Sequence, residues 1–213
     1  MTFEINNILH VVFGSLALLG GLTALVTVKG SLWHVRGGRL FCMMMSLVIL
    51  TTFVQMFHKL LPLAIVMCLA VIYLIPSALL SVNRDTQRFR GLSIALMALL
   101  GVLFSFALLQ FVRINLVAET FFLGPGIMAA MFGFLFVQDW QMLRAAPAHP
   151  NIWLRRHLTR MILAFTFAIM ALVRIGADFG LSLEMSVILP LAIAVVVIVV
   201  VYRSYPVAKP AAS

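Results

Sequence analysis

The chain has 213 residues, 64% of them hydrophobic and only 10% charged, with a mean hydropathy of +1.16. Water-soluble domains run near half apolar and a quarter charged, so this composition excludes an ordinary aqueous domain and makes a lipid bilayer the expected solvent. The formal net charge of +9 is spread over short loops between apolar runs, which excludes a nucleic-acid interface and fits basic loops facing anionic lipid.

A membrane-spanning helix needs about 20 mostly apolar residues, because the hydrocarbon layer is about 30 Å thick and a helix rises about 1.5 Å per residue. Seven runs meet that length, near residues 6–28, 40–58, 61–82, 91–112, 116–138, 158–179 and 183–202. They predict an all-α, polytopic membrane bundle of seven transmembrane helices, forming a single integral membrane domain over residues 1–213.

The first run lacks a basic leader and is longer than a signal-peptide core, so it reads as a true span. His10, Gly14, Ala17, Gly21 and Ala24 recur at alternating spacings of four and three and therefore share one helix face. A stripe of small residues admits either a neighbouring helix or a flat ligand, and His10 stands at its outer end. Lys29 closes the run, and the loop beyond it holds His34, Arg36 and Arg39.

The second run returns to the outer side and ends in His58, with Gln55 and Thr51 on the same face. His58 thus reaches the level of His10, where two imidazoles either ligate one metal or haem iron or cap helix ends. Only Lys59 and Pro62 interrupt the pattern before the third run. Cys42 and Cys68 fall inside spans and read as buried small apolar residues rather than a disulfide. The run Met43, Met44, Met45 points in three directions on a helix and reads as core and lipid contact.

Glu119 opens the fifth run on the outer side, Gly124-Pro125-Gly126 interrupts it, and Asp139 ends it on the inner side. Such a break is either a simple kink or the mark of a binding site. In the sixth run His157, Met161, Ala164, Ala168 and Ala171 form a second small-residue face, with Arg160 one turn inside its start. Arg174 and Asp178, four residues apart at the outer end, pair on one face. With Glu119 they predict an outer polar cluster; the alternative is that the cations snorkel to headgroups and the acids balance them.

Orientation follows from the basic residues. Lys29, Arg36, Arg39, Arg84, Arg88, Arg90, Arg144, Arg155, Arg156, Arg160, Arg203 and Lys209 fall on one side, against Lys59, Arg113 and Arg174 on the other. This bias places the N-terminus outside and the C-terminus in the cytoplasm, in a multi-pass protein of a bacterial inner (cytoplasmic) membrane.

The segment Trp153-Leu-Arg-Arg-His157-Leu-Thr-Arg160-Met161, opening an apolar helix, resembles the H-L-x-R-M signature of the bacterial membrane family called domain of unknown function 2306. His10 before a Gly/Ala-rich helix, Lys29-Gly30, His34-x-x-x-Gly38-Arg39, Tyr73 and Asp139-Trp140 resemble that family in the same order, over nearly the whole chain. The resemblance implies an integral membrane protein of seven or eight spans with no established activity, and it singles out His10, His34, Arg39, Asp139, His157 and Arg160. This chain departs from the pattern after His34, where Val35 stands in place of the usual Arg and Arg36 follows. Arg39, Asp139, His157 and Arg160 all fall at the cytoplasmic boundary. A polar cluster is expected there, with Asp139 paired to Arg160 or Arg39, serving either to lock loops or to bind an anionic headgroup or cofactor propionate.

Two histidines are thus expected near each face, His10 with His58 outside and His34 with His157 inside. This is the general arrangement by which a helical cytochrome holds haems across a membrane. The first functional expectation is a b-type haem-binding or quinone-linked transmembrane redox protein, with haem b as cofactor. The other readings are a transporter or sensor for a small solute or lipid, and an accessory subunit of a membrane complex. Its expected partners are the lipid bilayer, a second copy or a membrane complex. No catalytic residue is named, since H-E-x-x-H, P-loop, G-x-S-x-G and metal-type Cys spacings are absent.

Overall fold

Backbone amides find no partner in hydrocarbon, so each apolar run must close its hydrogen bonds within itself as a helix. In the computed structural model the runs form α1 (Thr2–Val26), α2 (Leu32–Met56), α3 (Pro62–Asn83), α4 (Arg90–Val112), α5 (Gly124–Arg144), α6 (Pro150–Ala171) and α7 (Leu183–Ser204). A π-helical turn, Arg113–Val117, continues α4. The structure describes residues 2–58, 60–83, 90–117, 121–144, 149–173 and 182–207, and no strand occurs among them.

Among the described residues six helices are long and apolar enough to cross a membrane: α1, α2, α3, α4 with its π turn, α5 and α7. Their outward residues agree with a lipid setting. Val26 of α1 and Leu189, Ile193, Val196 and Val200 of α7 are all exposed, where a water-soluble chain would bury such side chains or present them to a partner. The exception is α6, whose first half carries Arg155, Arg156 and Arg160.

Helix starts differ from the expected spans for a common reason: apolar content marks the depth of hydrocarbon, whereas caps mark the helix. α2 begins at Leu32 rather than residue 40, because Ser31 caps it by accepting the His34 backbone N–H at 3.3 Å. α6 begins at Pro150 rather than residue 158, and the Asn151 N–H donates to the ring of His149 at 3.1 Å. α5 begins at Gly124 rather than residue 116, so Gly124-Pro125-Gly126 opens this helix and does not interrupt it. Proline suits a first turn, where its missing N–H has no helical acceptor. Ahead of that turn Asn115 donates to Phe122 O at 3.0 Å and accepts its N–H at 2.8 Å, and Glu184 accepts the Leu123 N–H at 2.7 Å.

The described residues belong to two compact units, one drawn from Met1–Val71 and Ala164–Leu181, the other from Ile72–Leu163 and Ser182–Ser213. In the first unit α1 and α2 form a hairpin turned by Gly30, whose φ of 82° suits a residue without Cβ. Lys29 folds back to donate to Ala24 O at 3.1 Å and Leu25 O at 2.6 Å, closing the carbonyl end of α1. The partial burial this requires lowers the lysine's pKa from its ordinary value. Deeper in the hairpin the backbones touch: a Cβ on Gly37 would stand 2.8 Å from Gly20 O and 3.0 Å from Ala24 N. Gly21 lies against the rings of Phe165 and Phe41. In the second unit Tyr73, Leu74, Leu100, Phe132 and Leu135 form a fully buried core.

Candidate functional site

In the first unit the small-residue stripe of α1 divides in two. Ala17, Gly21 and Ala24 are buried and serve close packing, whereas His10 and Gly14 line a cavity of about 230 Å³. Met45 and Thr52 of α2, Cys68 of α3 and Ala168 of α6 line it too. Its walls are mainly apolar, with His10, Ser15, Thr52 and Gln55 as the polar groups that have side-chain hydrogen-bonding capacity. A Cβ placed on Gly14 would meet nothing within 4 Å, so the cavity reaches the helix backbone there. Ala168 and Ala171, from the second small-residue face, also border it.

His10 is held from α2. Its Nδ1 lies 2.9 Å from Thr51 Oγ1 and 3.5 Å from Thr52 Oγ1. Both hydroxyls already spend their protons on helix carbonyls: Thr51 donates to Val48 O at 2.9 Å and Leu47 O at 3.1 Å, and Thr52 donates to Val48 O at 2.8 Å. With the hydroxyl protons placed on those carbonyls, each threonine oxygen faces the imidazole as an acceptor and a neutral ring is assigned its proton on Nδ1. Nearby, Asn6 Nδ2 donates to Thr51 O and Gln55 Nε2 donates to Asn7 Oδ1, both at 3.0 Å, fixing the two helices in register.

The second unit holds a buried charge cluster. Asp139, in α5, receives Tyr73 Oη–H from α3 on Oδ2 at 2.7 Å. Its Oδ1 takes Arg156 Nη2 from α6 at 3.0 Å, and Arg160 Nη2 as well. Arg160 is fully buried, and its other bonds go to Gln138 Oε1 at 3.2 Å, Tyr73 Oη at 3.3 Å and Arg156 O at 3.4 Å. Two guanidiniums thus share one carboxylate, and the Nε atoms of both are buried with no hydrogen-bond partner among the described residues. Beside them Arg155 ties α6 to the end of α7 through Tyr202 O at 2.5 Å and Tyr205 O at 2.7 Å, and its guanidinium lies over the Tyr202 ring.

Of the residues singled out from sequence, Asp139 and Arg160 are brought together. Arg39 is exposed on α2, and the places on Asp139 that it was a candidate to fill belong to Arg156, Arg160 and Tyr73. In the sequence Arg156 counts only as a loop cation, and its place one turn before Arg160 is the available signal. Tyr73 enters only through the family resemblance. His58 is exposed in the turn after α2, where its backbone N–H donates to Gln55 O at 3.0 Å, and it does not line the cavity. His34 Nδ1 lies 2.8 Å from Ala24 O in the first unit, and His157 Nδ1 lies 3.0 Å from Ala78 O in the second. Glu119, Arg174 and Asp178 lie outside the described residues. Among the described residues no three of His, Cys, Asp and Glu gather at metal-binding range. No family model matches the chain, and no curated protein or solved structure is similar to it.

Proposed function

We propose that this protein is a bacterial inner-membrane bundle of seven spans, N-terminus outside, that binds a small and largely apolar molecule with one polar end. The observation that carries the reading is the cavity of about 230 Å³, apolar on most of its wall and furnished with His10 at one place. A quinone-like or lipid-like amphiphile matches that lining better than a strongly hydrated solute. The seventh span is α6: two of its arginines are paired with Asp139 inside the protein and need not meet lipid. The basic residues, twelve against three, support the orientation. The likeness of the His34 and His157 segments to domain of unknown function 2306 belongs to the same proposal and rests on those motifs.

The test is thermal stability of the detergent-purified protein against a panel of quinone analogues, fatty acids and long-chain alcohols. A ligand present at about 100 times its Kd adds about 2.7 kcal/mol. Gly14→Leu fills the cavity from α1, so it abolishes that gain while the unliganded protein becomes more stable by about 0.5–1 kcal/mol. A panel without effect, or a gain that survives Gly14→Leu, overturns the reading. A reporter fused after Ser213 tests the orientation and is expected to read cytoplasmic.

A haem-binding reading is kept as the second, favoured by the imidazole geometry. His10 and His34 each hold Nδ1 against a protein oxygen, which is how a ligating imidazole is oriented with Nε2 forward. Protein from haem-replete cells would then carry a Soret band that His10→Ala and His157→Ala diminish. A colourless, folded preparation sinks it.

A further inference from the structure

We infer that the cavity selects an occupant carrying a hydroxyl or other hydrogen-bond donor over one that offers only acceptors, an inference that rests on the ligand-binding reading above. Thr51 and Thr52 are adjacent, and each turns its hydroxyl proton back onto the helix, to Val48 O and, for Thr51, also Leu47 O. Helical threonines have this option because Oγ1 reaches the carbonyl three or four residues earlier. With those protons spent, both oxygens present lone pairs to His10 Nδ1, at 2.9 Å and 3.5 Å.

A neutral imidazole has one N–H and one bare nitrogen. The threonine pair sets the N–H on Nδ1, so Nε2 is the bare nitrogen of the ring. His10 lines the cavity, and we take its Nε2 as the acceptor offered to an occupant. An alcohol, phenol or quinol satisfies it. A ketone, quinone or ether placed against Nε2 sets two acceptors against each other, a mismatch that an apolar wall makes costly. The same selection rule separates the reduced from the oxidised member of any quinol–quinone pair, without a redox step being involved.

The experiment compares a 4-alkylphenol with its methyl ether, which keeps the ring and chain and loses only the donor. Binding to the purified full-length protein in detergent is read by thermal shift and calorimetry. The phenol is expected to bind on the order of tenfold more tightly. That ratio falls to about one in His10→Leu. It also falls in Thr51→Val/Thr52→Val, which keeps the imidazole and frees it to exchange tautomers. Histidine labelled with nitrogen-15 gives a readout independent of any variant: one His10 nitrogen is unprotonated without ligand, and its shift moves when the phenol binds. Equal binding of phenol and ether by the wild type overturns the selection rule and leaves the cavity reading intact. Binding of neither overturns the cavity reading itself. A preference for phenol that survives both variants, or a protonated His10 Nε2 in the labelled protein, shows that selection does not arise at His10 and overturns the inference.

Discussion

Asp139 faces two guanidiniums and a phenol, and this asymmetry decides what each side chain is worth. Asp139→Asn removes the negative charge and leaves Arg156 and Arg160 buried side by side as like charges. The expected loss is about 3–5 kcal/mol, the range for breaking a buried pair by taking away one partner. Tyr73→Phe removes a neutral donor from a carboxylate that keeps both arginines, so its cost should be about 1–3 kcal/mol. Denaturation in detergent checks the order of the two; an Asp139→Asn protein as stable as Tyr73→Phe would show that the excess cation is compensated elsewhere. Part of this cluster was legible from sequence. Asp139 and Arg160 fall at the same boundary of consecutive spans, and an acid and a base so placed are natural partners. Arg156 was obscured because counting loop cations for topology gives each one the same weight, although the spacing of 156 and 160 puts both on one helix face. Neither Thr51 nor Thr52 could be linked to His10 from sequence, since helix rotation about its axis is set by packing and not by hydropathy.

At the scale of helices, the hairpin of α1 and α2 depends on the absence of two side chains. Gly20 and Gly37 face each other so closely that a methyl group on Gly37 meets backbone atoms rather than a movable side chain. Gly37→Ala should therefore cost about 1–3 kcal/mol through forced separation of the helices. Gly38→Ala, whose Cβ would meet nothing within 4 Å, should be neutral or slightly stabilising. Comparing the two melting temperatures separates close packing from mere helix propensity, and equal effects would sink the argument. Sequence showed a small-residue stripe on α1 and two readings of it, helix contact or ligand groove. The structure uses both, on different turns of one helix, because Phe41 and Phe165 fill the groove beside Gly21 and nothing fills it beside Gly14. The helix starts were less legible. Arg36, Arg39, Arg155 and Arg156 are good helix formers that extend α2 and α6 beyond the hydrocarbon-like stretch, so hydropathy alone placed both starts too late.

For the whole molecule, class was the easiest property to read. A chain with this composition has no way to hide its leucines and valines from water, and the described helices leave many of them facing outward. Among the described residues six helices qualify as spans on apolarity alone, and α6, described over Pro150–Ala171, is not one of them. Its arginines lower its apolarity because they are committed to the interior, where a hydropathy sum cannot credit Asp139 or Tyr73 as their solvent.

That commitment has a consequence for biogenesis. A segment with three arginines in its first half, and with Arg160 in the middle of its 22 residues, partitions poorly into lipid by itself. Tyr73 and Asp139, which bind two of these arginines between them, sit on α3 and α5, both of which leave the ribosome earlier. As the seventh span proposed above, α6 should accordingly enter the membrane only after its predecessors and with their help. In a glycosylation-mapping assay, α6 alone should remain largely uninserted, α3–α6 should insert it, and Asp139→Asn in the longer chain should return it toward the failed state. Efficient insertion of the isolated segment would show that no such chaperoning between neighbours is needed.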